Sequence, residues 1–294
     1  MVSGEKGARV KRVIKTAKDL NELVMFEHTV FSLPFIFMAM IVAAGGWFGW
    51  KLFVLGLLAA VSARNFAMAF NRYIDRQYDK DNPRTAGRPS VDGRLKPGVI
   101  MLFMVSNAFL FIMVSFFIND LAFALSIPFL VILAFYSYAK RFSYLAHLFL
   151  GIALGLAPVA GAIAILGEIP LWSLLLSLGV LFWVAGFDLL YALQDMEFDK
   201  ERGLHSIPAR FGLTKTLWIS RTFHLLSLSF WGLFLYLAPP AISMMSWVGL
   251  CVAGLMLLWE QWLVHRGLEN INRAFFTVNG YLGFIFLAFI ILDV

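Results

Sequence analysis

The tightest constraint on this chain is a series of long runs without Lys, Arg, Asp or Glu. Residues 29–50, 97–119, 121–139, 142–167, 169–187 and 274–292 are such runs, each near the length of one membrane-crossing helix. The stretch from Lys51 to about Tyr73 is a further span with one intramembrane charge, Arg64. Residues 222–259 are too long for one crossing, and Pro239-Pro240 divides them, because proline lacks the helical N–H and clashes with the preceding turn. Nine helices follow from this reading. Composition agrees: 61% of the 294 residues are apolar and 14% charged, against roughly half and a quarter in soluble domains. A disulfide scaffold is excluded, since Cys251 is the only cysteine.

The basic residues orient the bundle. All Lys and Arg except Lys51 and Arg64 fall in the first eighteen residues or in the connections after spans two, four, six and eight. Positive-inside bias places those segments and the N-terminus in the cytoplasm and the C-terminus outside. The expectation is an all-α integral protein of the cytoplasmic (inner) membrane of a prokaryote, its central cavity opening to the cytoplasmic side. Residues 1–22 form a basic arm and residues 23–294 a single nine-helix domain. No cleavable signal peptide is apparent, and the arm suits the anionic leaflet of membrane lipid.

Two acidic segments match. Asp75, Asp79, Lys80 and Asp81 follow span two, and Asp195, Asp199, Lys200 and Glu201 follow span six, with Tyr78 and Phe198 before the second Asp of each. Four spans separate them, so both lie on one membrane face, as in a parallel internal repeat. At about 100° per residue, positions i, i+7 and i+11 fall within about 40° of one another on a helix. Arg64, Asn71 and Asp75 share that spacing, as do Asp188, Asp195 and Asp199. Each helix thus carries a polar stripe from inside the membrane to its cytoplasmic end. Polar groups at that depth face a bundle interior. Paired carboxylates repel unless a cation intervenes, and Mg2+ is the natural one, because it leaves positions for phosphate oxygens. A carboxylate-held metal beside Arg64 describes a diphosphate site.

In these residues the chain resembles a UbiA-type membrane prenyltransferase. The family carries Asn-Asp-x-x-Asp-x-x-x-Asp after its second span and Asp-x-x-x-Asp after its sixth, matched here by Asn71, Asp75 and Asp79, then Asp195 and Asp199. Arg64 stands where the family has a diphosphate-binding arginine. Residues 83–89 (PRTAGRP) resemble its Arg-Thr-x-x-Arg-Pro segment, Tyr136 and Lys140 its Tyr-x-x-x-Lys pattern, and Asp188 and Tyr191 the approach to its second motif. Two departures stand out. Arg72 follows Asn71 where the family usually has Asp, and Ser90-Val91-Asp92-Gly93 replaces Leu-Pro-Ser-Gly.

The resemblance implies Mg2+-dependent transfer of a polyprenyl group from polyprenyl diphosphate to a small aromatic acceptor. First choices are 4-hydroxybenzoate or a dihydroxynaphthoate, in ubiquinone or menaquinone biosynthesis. Asp75, Asp79, Asp195 and Asp199 hold metal, and Arg64, Lys140 and Tyr136 bind diphosphate. Asn71 coordinates metal or orients the diphosphate, and Asp188 or Tyr191 assists the acceptor. Glu27 and His28 are candidates to hold it. His147, His205, His224 and His265 show no metal-ligand spacing and read as interfacial or packing residues. Gly151 and Gly155 read as a close helix contact. No Walker loop or Rossmann glycine pattern occurs, and no nucleic-acid partner is expected. The competing class is a cation or metabolite transporter using the same carboxylates, disfavoured because both acid pairs lie at one face. A CDP-alcohol phosphotransferase is less compatible still, its Asp-Gly-x-x-Ala-Arg opening being absent.

Overall fold

In a computed structural model, residues 2–25, 33–239 and 243–294 are described, and among them every regular element is helical. The helices are α1 (Val2–Val24), α2 (Leu33–Ala44), α3 (Trp50–Ile74), α4 (Arg76–Asp81), α5 (Pro97–Ile118) and α6 (Asp120–Phe135), then α7 (Ala146–Leu166), α8 (Leu171–Ala192), α9 (Met196–Glu201), α10 (Ile207–Leu237), α11 (Met244–Arg266) and α12 (Asn279–Asp293). Among the described residues, seven helical segments are long and apolar enough to cross a membrane. The 12-residue α2 and the 31-residue α10 occupy the places of the first and seventh expected spans. Glu27 and His28 lie outside the described residues, as does Pro240.

The first span is shorter at its C-terminal end than its uncharged run. α2 stops at Ala44 because Gly45 and Gly49 adopt φ of 63° and 88°, values that cost glycine little and other residues more. Trp47, Phe48, Trp50 and Phe53 cluster at this turn, with the Trp47 and Trp50 rings 5.0 Å apart. Such a belt suits a membrane–water boundary. At the other end of the bundle, Arg221, Arg266 and Arg273 lie over Trp218, Trp262 and Trp259.

The main core joins α2, α7, α8, α10, α11 and α12 around Phe35, Trp183, Trp231 and Phe286, all fully buried. α3, α5 and α6 pack a second core around Phe66, Phe111 and Leu130. Outward-facing Leu102, Phe109, Phe116, Ile127, Leu225 and Leu258 are exposed, which fits a lipid-facing surface. α7 and α8 approach closely at Gly151 and Gly155: a Cβ at either would press on the backbone carbonyl of Leu181 or Ser177. α1 docks through Leu20 and Leu23 against Ala69, Leu95 and Ile100, so the boundary expected at residue 22 falls inside a continuous helix.

Candidate functional site

The first acidic segment is not one unbroken helix. α3 ends at Ile74, and Asp75 sits at the bend before α4 with φ −88° and ψ 3°. The hydrogen-bond ladder nevertheless runs on, from Asp75 N–H to the Asn71 carbonyl at 2.9 Å and from Asp79 N–H to the Asp75 carbonyl at 2.8 Å. The stripe therefore survives the bend. Asn71 donates from Nδ2 to Asp75 Oδ2 at 2.8 Å, and Arg141 donates to Asp75 Oδ1 at 3.0 Å. Burial pushes the Asp75 carboxyl above its usual range, and the Asp79 charge adds to this against the Arg141 bond. Asp79 is buried and accepts from Arg88 at 2.6 Å through Oδ1. The Thr85 hydroxyl donates to the Asp79 carbonyl at 2.8 Å.

The second segment has a parallel break. α8 ends at Ala192, a short 3-10 turn covers Leu193–Asp195, and α9 carries Asp199. Asp195 receives Arg84 Nε at 2.9 Å and Asn82 Nδ2 at 3.2 Å on Oδ1. Arg84 also donates to the Tyr191 hydroxyl at 3.2 Å. Residues 82 and 84, from the connection after the first motif, thus grip the second. Asp188 lies 2.6 Å from Nδ1 of the fully buried His147 on α7.

Except for His147, which lies behind Asp188, all of these groups line one cavity of about 290 Å³, together with Arg64, Tyr136 and Lys140. Lys140 lies in the field of Asp199, Asp188 and Asp195. The cavity continues into an apolar recess of about 130 Å³ between α3, α5, α6 and α7, and Arg64, Met68, Tyr136, Leu150 and Leu154 belong to both. The arrangement suits a molecule with an anionic head and a hydrocarbon tail.

The four carboxylates do not close on one point. Among the described residues no three Asp, Glu, His or Cys side chains form a ready metal cluster. The expected mutual repulsion is relieved instead by arginines of the chain, on Asp75, Asp79 and Asp195. On the four motif carboxylates, two buried oxygens remain without a donor among the described residues, Asp79 Oδ2 and Asp199 Oδ2, one from each motif. Buried carboxylate oxygens without donors are costly unless a cation serves them. The donor set therefore fits a divalent, oxygen-seeking metal.

The structure brings Asn71, Asp75, Asp79, Asp188, Tyr191, Asp195, Asp199, Arg64, Lys140 and Tyr136 to one cavity. Sequence reasoning missed the direct roles of Asn82 and Arg141, and it used Arg84 and Arg88 as part of a motif and as positive charge without naming the carboxylate each one meets. It also read His147 as interfacial or packing. The signal for His147 was Gly151: one turn along α7, it lets the helix close on Leu181 of α8, two turns before Asp188.

A model described as the UbiA prenyltransferase family matches residues 32–290. A 4-hydroxybenzoate octaprenyltransferase from a Polaromonas species is 28% identical over 246 residues, covering 84% of this chain and 85% of that protein. One of the same name from Psychrobacter arcticus is 30% identical over 215 residues, covering 70% and 67%. The apo structure of a UbiA homolog from Aeropyrum pernix superposes with a TM-score of 0.80 at 30% identity, over 91% of this chain and 98% of that one. A UbiA homolog from Archaeoglobus fulgidus bound to DMAPP and Mg2+ shares the fold, with a TM-score of 0.75 at 21% identity over 94% and 98% of the two chains. The chain belongs to the UbiA prenyltransferase family and is an integral membrane prenyltransferase.

Proposed function

We propose that this enzyme transfers a polyprenyl group from its diphosphate to a small hydroxylated aromatic acid, 4-hydroxybenzoate or a dihydroxynaphthoate, in ubiquinone or menaquinone synthesis. The observation that carries the reading is the joining of two acidic motifs, Arg64 and Lys140 in one cavity that continues into an apolar recess. The names of the relatives support the acceptor class. Nine spans, an N-terminus in the cytoplasm, a C-terminus outside and a site facing the cytoplasm of a prokaryotic inner membrane complete it. Residues 1–22 act as an arm and residues 23–294 as one domain.

Asp75, Asp79, Asp195 and Asp199 would hold Mg2+. When bound there, the metal supplies charge neutralisation for the departing diphosphate. Arg64 and Lys140 place fixed positive charge where negative charge accumulates as the allylic C–O bond breaks. Asn71, bonded to Asp75, keeps that carboxylate oriented. Leu150, Leu154 and Met68 line the start of the recess that takes the prenyl tail. Tyr191 and Phe275, packed on each other with ring centroids 4.3 Å apart, form an aromatic wall of the cavity that helps keep water from the allylic cation. A ring carbon of the acceptor then forms the new C–C bond and loses its proton. Asp188, steadied by His147, is the carboxylate we assign to relieve the acceptor of its phenolic proton.

The test uses protein-containing membranes, labelled geranyl diphosphate and a panel of hydroxylated aromatic acids, each with Mg2+ and with EDTA. A prenylated acid formed only with Mg2+ is expected. Mg2+-dependent pyrophosphate release without any prenylated acid would overturn the acceptor class and keep the diphosphate site.

A further inference from the structure

We infer that Arg72 determines acceptor specificity by pairing with the carboxylate of the incoming aromatic acid. The inference deepens the proposed function and rests on it. Arg72 occupies the position where the resembling motif has an aspartate, so at this point the chain places a cation instead of a carboxylate.

The side chain lies in the last turn of α3 and is only 7% exposed. Its terminal nitrogens donate to Asn71 Oδ1 and to Met25 Sδ, both at 3.3 Å. Both partners are neutral, and a thioether sulfur is a weak acceptor. Among the described residues no carboxylate pairs with this guanidinium. A buried guanidinium stays charged at any ordinary pH, and Asp79 and Asp75 balance this one only through the field, without a bond to it.

Its placement separates it from the other cations of the site. Arg72, Arg84 and Arg88 line both the catalytic cavity and an adjoining recess of about 690 Å³, whereas Arg64 and Lys140 line the catalytic cavity and not this recess. Arg84 is committed to Asp195 and Arg88 to Asp79. Arg72 is thus the cation lining both spaces whose guanidinium has only long bonds to neutral groups, which an incoming anion can displace. The same recess is walled by Tyr191 and Phe276, whose rings meet edge-on at 6.2 Å, and by Asn272 and Gln194. An anion-pairing fork beside aromatic walls fits a flat ring bearing a carboxylate, which a guanidinium binds through two parallel N–H···O bonds. An arginine devoted to the diphosphate would instead share the space of Arg64 and Lys140 alone.

The experiment compares 4-hydroxybenzoate with the uncharged 4-hydroxybenzamide, using labelled geranyl diphosphate and saturating Mg2+, in wild type, Arg72→Gln and Arg72→Lys. Losing a charge-assisted pair should raise KM for the acid about 10- to 100-fold in Arg72→Gln. KM for the amide and for the diphosphate should move far less, and by a common factor, because both feel only the loss of the long bond from Arg72 to Asn71. Arg72→Lys, which keeps the charge and loses the fork, should fall between. Dissociation of 4-hydroxybenzoate measured calorimetrically without donor should weaken in parallel. Equal loss for acid and amide would overturn the assignment while leaving the aromatic-acid reading intact. A rise confined to the diphosphate KM would also overturn it and move Arg72 to the donor. If wild type transfers to neither compound, or takes the amide as readily as the acid, the acceptor reading fails and the inference falls with it.

Discussion

Arg84 reaches across 111 positions of sequence to Asp195, with Nε 2.9 Å from Oδ1, and so fastens the connection after the first acidic motif onto the second. Of the hydrogen bonds to the Asp195 carboxylate among the described residues, that from Asn82 would remain after Arg84→Gln. The variant should lose about 1–2 kcal/mol of stability, the worth of a charge-assisted bond to a largely buried carboxylate. Thermal unfolding in detergent measures this. Arg84→Lys should recover part of the loss, because it restores the charge without the fork.

Gly151 offers a packing test. A methyl group there meets the Leu181 backbone carbonyl, which cannot move without shifting α8 and, with it, Asp188. Gly151→Ala should cost about 1–3 kcal/mol, the usual range for overpacking, and should slow transfer by disturbing the His147–Asp188 contact. Gly87→Ala, with open space around its Cβ position, should change the melting temperature little.

The attachment of α1 carries a pH dependence. Arg94 grips Glu22 with two bonds, at 2.6 and 2.7 Å, and these hold the Glu22 carboxyl below its usual 4.5. A carboxyl lowered in the folded state stabilises it fully above about pH 4.5 and loses that contribution as pH falls through the lowered value. Backbone hydrogen exchange in the last turns of α1 should therefore accelerate between pH 5 and pH 3 relative to Glu22→Gln at each pH. The pair is exposed, so the effect is expected to be small. Identical exchange in both proteins at every pH would show that Leu20 and Leu23 alone hold the helix.

Much of this site could be read from one dimension. Asp75, Asp79, Asp195 and Asp199 announce themselves because a depth-matched acid pair is costly in an apolar chain and occurs twice. The bends at Asp75 and Asp195 were hidden, since the hydrogen-bond ladder at Asp75 continues through its bend and neither bend is marked by Gly or Pro. Arg84, Arg88 and Arg141 entered the topology argument as positive charge, and a count of charges does not say which carboxylate each one meets. His147 finds Asp188 through the packing of α7 on α8, which Gly151 permits but whose register no spacing within either helix encodes. The early end of α2 is the reverse case. Gly45, Gly46 and Gly49 were in plain view, yet an uncharged run measures the apolar stretch and not the helix within it.

The most direct test of the shared site uses the two buried oxygens that lack donors. Asp79→Asn and Asp199→Asn keep the shape of each side chain and remove its charge, so each protein should remain folded in the membrane. Mg2+-dependent transfer from labelled geranyl diphosphate would be measured for wild type, each single variant and the double variant. If both motifs serve one diphosphate site, each single change lowers kcat/KM about 100-fold or more and the double change adds little, as for residues that act as a unit. Turnover near the wild-type rate in either single variant, or losses that multiply in the double, would contradict it.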